Sequence, residues 1–134
     1  MNNTLHNSKD FEGMRKAGNL AASTLDLLVE HVKPGVSTDE LDYFAFEFIT
    51  KNGGLIAPLF YKGFPKSICT SINHVICHGI PSSRILEEGD IVNIDVTVIV
   101  DGWHGDTSRM FPVGKINAKA QKLIDCTFES MHEG

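Results

Sequence analysis

Two stretches near the start of the chain carry apolar residues at helical spacing, and each predicts a helix. The first runs from about Asp10 to Val32 and is stopped by a Pro-Gly pair. The second follows Ser37, which forms the pattern of a capping box with Glu40, and it extends to about Lys51. Two amphipathic helices therefore open the chain.

From about residue 55 to residue 113 the pattern changes to short apolar stretches separated by turn residues, which predicts β-structure. Short strands are expected from Ser67 to Ser71 and from Val75 to Cys77, with a turn between them. Asn117 is a candidate cap for a last helix. That helix is expected to bury one apolar side, made of Ala120, Leu123, Ile124, Thr127, Phe128 and Met131.

The strongest local pattern is a hairpin of two alternating strands, 91–100 and 103–111, joined by a tight turn at Asp101-Gly102. Both turn positions need positive φ, which these two residue types tolerate. With this turn, Thr97 faces Asp106 across the pair. One face of the hairpin is then apolar and belongs to the core, and the opposite face is polar.

Asp95 and Asp106 lie diagonally across this polar face. Diagonal neighbours are roughly 7–8 Å apart at Cα, close enough for both side chains to reach one cation. Two aspartates on a solvated sheet face are common, but Asp is disfavoured in strands, and a close pair needs a compensating charge. The pattern favours a hard or borderline divalent metal such as Mn, Mg, Fe(II) or Co(II).

Composition limits the class of protein. The chain has 134 residues, 42% of them hydrophobic and 22% charged, which predicts one globular domain. The order of the predicted elements, two helices, several antiparallel strands and a closing helix, predicts α+β architecture with helices on one face of the sheet. The net charge of −5 and the lack of a Lys/Arg cluster disfavour nucleic acid and anionic membranes as partners. No apolar run is long enough to span a bilayer. Three cysteines without a Cys-x-x-Cys pair fit a reducing cytosol better than a disulfide framework.

A few further residues have types suited to chemistry. His78 precedes a Gly and a Pro in a constrained loop, where an imidazole can contact a substrate or a metal, although a lone His is more often a structural hydrogen-bonder. Cys69 and Cys77 are expected to be small buried hydrophobes. Residues 61–66 combine aromatics with Gly and Pro, which fits a plain turn slightly better than the wall of an apolar pocket.

Several long motifs together resemble one family. They are the segments 61–81 (YKGFPKSICTSINHVICHGIP), 89–97 (GDIVNIDVT) and 101–108 (DGWHGDTS), with support from 14–18 (MRKAG) and 32–38 (VKPGVST). These segments closely resemble type I methionine aminopeptidases of the bacterial kind. The resemblance covers nearly the whole chain after about Phe11.

The resemblance implies the pita-bread fold, in which two similar α+β halves face each other across a dinuclear metal site. It implies that Asp95 chelates one metal, that Asp106 bridges both, and that His78 contacts the scissile peptide. It further implies a methionine pocket lined by Tyr61, Phe64 and Cys69, and a monovalent-cation site at Asn73 and Val75. Two positions depart from the family pattern. Phe64 stands where a Tyr is frequent, and His74 stands where an acidic residue is usual.

The function that the resemblance implies is hydrolytic removal of the N-terminal methionine from nascent proteins when the next residue is small. Two divalent ions (Co, Mn, Fe(II), Zn or Ni) are the expected cofactors. The expected partners are nascent peptide N-termini at the ribosome, for a cytoplasmic enzyme that is monomeric at full length.

Family members are about twice as long, and their second half carries a His and two Glu ligands. We therefore expect the present chain, as the N-terminal half of the catalytic domain, to be inactive alone. Two alternatives are a non-catalytic peptide-binding half-fold and one chain of a split enzyme. The coding sequence downstream of Gly134 distinguishes these possibilities.

Overall fold

Three helices and four strands follow one another in residues 5–134, the part of the chain that the computed structural model describes. In chain order they are α1 (Ser8–Leu28), α2 (Thr38–Lys51), β1 (Leu55–Ile56), β2 (Cys69–Ile72), β3 (Ile91–Val100), β4 (Trp103–Pro112) and α3 (Ala118–Glu133). Over these residues, every helix is too short or too polar to cross a lipid bilayer.

The predicted hairpin forms β3 and β4. Thr97 pairs with Asp106 and Val100 pairs with Trp103, as the sequence predicts. The turn residues Asp101 and Gly102 have φ values of 51° and 84°, so both adopt the left-handed conformation that this turn requires. The register is therefore set locally, by a two-residue loop and the alternation on either side of it.

β3 is the central strand of an antiparallel sheet. β4 pairs with β3 along its whole length, while β1 and β2 share the other edge of β3 at different heights. The apolar face of β3 is fully buried through Ile94, Val96 and Val98. These side chains join α1 and α2 in one core, which also includes Ala21, Leu25, Leu28, Leu41, Ala45 and Ile49.

A glycine brings α1 close to the sheet. A Cβ placed on Gly105 would lie 2.2 Å from the carbonyl carbon and oxygen of Ala17, so the backbone of α1 rests directly on β4 at this point. The Trp103 ring approaches Gly13 in the same way, at 2.4 Å from a Cβ placed there. One sheet face is thus covered by helices, and the face that carries the two aspartates is not.

The helix termini follow the sequence signals with one shift. Ser37 N donates to Glu40 Oε2 (2.8 Å) and Glu40 N donates to Ser37 Oγ (3.2 Å), which confirms the capping box. α1 ends at Leu28 rather than near Val32, because its last turn tightens: Val29 N donates to the Asp26 carbonyl (3.3 Å) and His31 N donates to the Leu28 carbonyl (3.0 Å), each three residues back. Proline at position 34 disfavours helical backbone at residue 33, so no helix resumes there.

The first predicted short strand is shifted and the second is wrong. β2 begins at Cys69 because Asp42 accepts the backbone N–H groups of Ser67 (2.7 Å) and Ile68 (3.1 Å), which keeps these two residues out of the sheet. Residues 75–77 are exposed and irregular instead of forming a strand. Cys77 is consequently exposed, which contradicts its expected burial.

The last helix is capped as predicted, since Ala120 N donates to Asn117 Oδ1 at 2.9 Å. The prediction that its apolar side is buried is wrong, because no residue of α3 is buried in the described chain. Leu123, Phe128 and Met131 are 54%, 60% and 64% exposed. The physical reason is that α1 and α2 already fill the core, so α3 stands beside a groove of about 920 Å³ rather than against the sheet.

Candidate functional site

Two carboxylates meet on the open face of the hairpin. Asp95 pairs with Ser108 and Asp106 pairs with Thr97, so the two aspartates are diagonal neighbours on one face. Burial raises the pKa of Asp95, and the charge of Asp106 together with a side-chain hydrogen bond between the two raises that pKa further. The side chains are therefore in direct contact, as the hairpin register predicts.

This pair is suited to a cation. Two carboxylates held together without a counter-charge repel each other, and a divalent ion that prefers oxygen ligands removes that repulsion. The charge of His78 lowers the pKa of Asp95, but burial and Asp106 outweigh it. In residues 5–134 no three His, Cys, Asp or Glu side chains converge as a metal-binding group. In the described residues, this face thus brings together two carboxylates.

His78 is presented to the same site by a strained loop. It has a φ of 55° and is exposed. The next residue anchors the loop to β2, since Thr70 N donates to the Gly79 carbonyl (2.8 Å) and Gly79 N donates to Ser71 Oγ (3.2 Å). A Cβ on Gly79 would lie 2.1 Å from the Thr70 carbonyl oxygen, so only glycine allows this approach. The imidazole is close enough to influence the Asp95 carboxylate electrostatically.

Cys69 lies beside the carboxylates. It is the direct β2 partner of Asp95, so both side chains belong to one face of the sheet. Burial, followed by the charge of Asp95, raises the pKa of the Cys69 thiol to about 11. The thiol is therefore protonated at neutral pH, and Cys69 is a small buried hydrophobe, as its sequence predicts.

The aromatic segment, residues 61–66, includes a short 3-10 turn, Tyr61–Gly63. Phe64 N donates to the Tyr61 carbonyl at 3.0 Å, which holds the two aromatic residues together. Tyr61 is 65% exposed and Phe64 is partly buried. Both ends of this segment return to β3 near Asp95, because Ala57 N donates to the Thr97 carbonyl and Cys69 pairs with Asp95. The aromatic segment thus lies at the edge of the carboxylate face.

Asn73 and Val75 lie in the turn that follows β2. The amide of Asn73 donates to Asp90 Oδ1 (2.8 Å) and accepts from Ile91 N (3.0 Å), so it fastens the turn to the start of β3. Val75 is 38% exposed, and His74 between them is exposed as well. Both Asn73 and Val75 line the groove beside α3.

Asp42 supports the site, although the sequence did not predict a role for it. Its carboxylate is buried and accepts two backbone N–H groups immediately before Cys69. It thereby fixes where β2 starts and where the Cys69 side chain lies. The available signal was an acidic residue at a position next to Leu41 on the buried face of a helix, where an unpaired charge is costly.

Comparison with known proteins identifies the family. The profile described as Metallopeptidase family M24 matches residues 12–134. The chain belongs to metallopeptidase family M24. Among curated M24 relatives, the methionine aminopeptidase of Rickettsia prowazekii is 58% identical over 130 residues, which is 97% of this chain. That of Escherichia coli K12 is 52% identical over 126 residues, or 92% of this chain.

Solved structures give the same result for the fold. The chain matches the crystal structure of the Rickettsia prowazekii methionine aminopeptidase with a TM-score of 0.95 over 96% of its residues. It matches the Thermotoga maritima methionine aminopeptidase with a TM-score of 0.93 at 27% identity. The expected α+β pita-bread architecture is confirmed for this M24 chain. It spans about half the length of these relatives: 50% and 48% of the two curated sequences, 52% and 53% of the two structures.

Proposed function

We propose that residues 1–134 form a single domain that supplies one half of the active site of a metal-dependent methionine aminopeptidase. The observation that carries the proposal is the contact between Asp95 and Asp106 on the open sheet face. The similarity to relatives that bear this name supports the choice of reaction.

In this proposal Asp95 and Asp106 hold two divalent ions, of which Co, Mn, Fe(II), Zn and Ni are candidates. Such ions, when bound, lower the pKa of water and polarise a scissile carbonyl. The crowding of the two carboxylates supports this role, because it is unfavourable without a cation and is relieved by one. The remaining ligands come from the half of the fold that this chain does not span.

The other candidate residues position the peptide. His78 contacts the scissile peptide and stabilises the developing oxyanion, which fits its exposed place beside Asp95. Tyr61, Phe64 and Cys69 line the pocket for the methionine side chain. The neutral state of the Cys69 thiol suits an apolar wall. Asn73 and Val75 contribute oxygens to a monovalent-cation site.

The substrates are the N-termini of nascent proteins that carry a small second residue, and the whole enzyme acts as a cytoplasmic monomer. Neither nucleic acid nor a membrane is a partner in this proposal, which agrees with the net charge of −5.

A complementation assay tests the proposal. The purified chain, loaded with Mn(II) or Co(II), is assayed on the peptide Met-Ala-Ser with and without the separately expressed second half of the Rickettsia relative. We expect no turnover by either part, turnover by the mixture, and none when the chain carries Asp95→Asn. Asp101→Asn in the hairpin turn is the matched control and keeps activity, because Asn tolerates the positive φ at that position.

Two results would count against the proposal. Turnover that survives Asp95→Asn would show that this carboxylate is not needed. A mixture that binds the peptide but never cleaves it would favour the non-catalytic peptide-binding alternative.

A further inference from the structure

The loop that carries His78 is held at few points. The side chains of residues 74–78 are all exposed, so packing within the described chain does not fix this segment. His78 itself has a φ of 55°, in the left-handed region that residues other than glycine rarely adopt. A backbone in this region keeps its conformation only when neighbouring contacts hold it. The position of His78 therefore depends on the residues on either side of it.

Gly79 makes these contacts on the C-terminal side. Its carbonyl accepts Thr70 N (2.8 Å), and its own N–H donates to Ser71 Oγ (3.2 Å). A Cβ on Gly79 would lie 2.1 Å from the Thr70 carbonyl oxygen, so the loop backbone rests directly on β2. The first bond joins two backbone groups and does not depend on the side chain at position 70. The second bond requires one particular side chain, the hydroxyl of Ser71.

Ser71 lies where it can set the direction of the imidazole. It is 4% exposed and is two residues from Cys69 on β2, so both side chains belong to the sheet face that carries Asp95. Burial raises the pKa of Asp95 and the charge of Asp106 adds to this, while the charge of His78 lowers it, so the imidazole is near that carboxyl group. A hydroxyl on the carboxylate face thus bonds the residue that follows His78.

We propose that Ser71 is a positioning residue, whose hydroxyl accepts the Gly79 N–H and thereby keeps His78 in its left-handed conformation with the imidazole beside Asp95. The consequence for catalysis rests on the proposed function, in which His78 contacts the scissile peptide. Ser71 acts on the reaction only through His78.

Three substitutions in β2 isolate the contribution of this hydroxyl. Ser71→Ala removes it, and Ser71→Thr keeps it in a residue type that suits a strand. Thr70→Val is the matched control, because the Thr70 hydroxyl is buried and has no hydrogen-bond partner in the described residues. The control therefore removes a neighbouring hydroxyl of the same strand and leaves both Gly79 bonds in place.

Nuclear magnetic resonance of the full chain, without metal, measures the position of His78. The Overhauser effect between its own amide and Hα protons is strong when φ is positive, and the Hε1 shift reports what lies beside the ring. We expect Ser71→Ala to weaken that Overhauser effect. We also expect Asp95→Asn to shift the Hε1 signal in the parent and to shift it less in the Ser71→Ala chain. Ser71→Thr and Thr70→Val should match the parent in both measurements.

The complemented enzyme gives the functional measurement. With the second half of the Rickettsia relative, we expect Ser71→Ala to lower kcat by about tenfold and to leave KM within about twofold, because a displaced group that stabilises the oxyanion costs rate rather than binding. Ser71→Thr and Thr70→Val should keep kcat within about twofold of the parent.

Four results would overturn the inference. They are an unchanged Overhauser effect in Ser71→Ala, equal losses in Ser71→Ala and Thr70→Val, a fall in kcat that Ser71→Thr does not restore, and a Ser71→Ala chain that does not fold. Failure of the proposed function is a different result, in which the parent mixture does not cleave the peptide. The resonance measurements on the chain alone then still decide whether Ser71 positions His78.

Discussion

Asp95 and Asp106 come from adjacent strands but do not face each other directly. Each pairs with a small hydroxyl residue, Ser108 and Thr97 respectively, and this offset places the two carboxylates side by side on the open face. Burial raises the pKa of Asp95 and the charge of Asp106 raises it further, so the ionised form is disfavoured. In the proposed function, the same arrangement prepares two oxygen ligands for a cation.

The first prediction concerns the stability of the metal-free chain. The pKa of Asp95 is raised above its ordinary value of 3.8, so its contribution to stability is fully present below that value and is lost as the pH rises through the raised pKa. Asp95→Asn does not titrate. We therefore expect the variant to be more stable than the parent at pH 7 in urea unfolding with EDTA, and the difference to shrink at acid pH. A less stable variant at pH 7 would contradict this explanation.

The second prediction tests the close packing of α1 on β4. Gly105→Ala places a methyl group 2.2 Å from the backbone of Ala17, so we expect a loss of about 3 kcal/mol in the free energy of unfolding. Gly18→Ala, in the same helix, meets nothing within 4 Å and should stabilise the chain by about 1 kcal/mol. Equal effects of the two substitutions in denaturant unfolding would show that α1 does not rest on Gly105.

The third prediction concerns the support beneath Cys69. Asp42→Ala removes the acceptor of two buried N–H groups, and we expect a loss of about 3 kcal/mol in the free energy of unfolding. Asp39→Ala breaks the partly exposed pair with Lys66 (2.7 Å) and should cost less than about 1 kcal/mol. Amide hydrogen exchange at Ser67 and Ile68 provides a local check, since it should accelerate only in the Asp42 variant.

The fourth prediction concerns thiol reactivity. The pKa of Cys69 is raised to about 11 and its side chain is buried, whereas Cys77 and Cys126 are exposed. Iodoacetamide at pH 8, followed by mass spectrometry, should modify the two exposed cysteines and leave Cys69 unmodified in the folded chain. Denaturant should remove the protection of Cys69. Fast labelling of Cys69 in the native chain would contradict its burial beside Asp95.

Features that depend on neighbouring residues could be predicted from the sequence, and features that depend on distant parts of the chain could not. The hairpin register could be predicted because Asp101, Gly102 and the alternating strands determine it within about twenty residues. The exposure of Phe128 could not be predicted, since the burial of an amphipathic helix depends on which other helices already cover the core. The strand expected at residues 75–77 does not form. Val75 N closes a turn on the Ile72 carbonyl, and it is Gly79, beyond this segment, whose carbonyl accepts Thr70 N of β2.

The candidate site shows the same division. The contact between the two aspartates follows from pairing alone and was predicted. The role of Asp42 depends on a contact between distant segments, and residue patterns do not reveal it.

A calorimetric titration of the chain with Mn(II) tests the cation site most directly. We expect binding by the parent and by Asp101→Asn, which keeps the hairpin turn and lies away from the pair. We expect Asp95→Asn and Asp106→Asn each to weaken binding by about tenfold or more, because each removes one of the two charged ligands. Equal affinity in all four proteins would contradict the claim that these two carboxylates form a cation site.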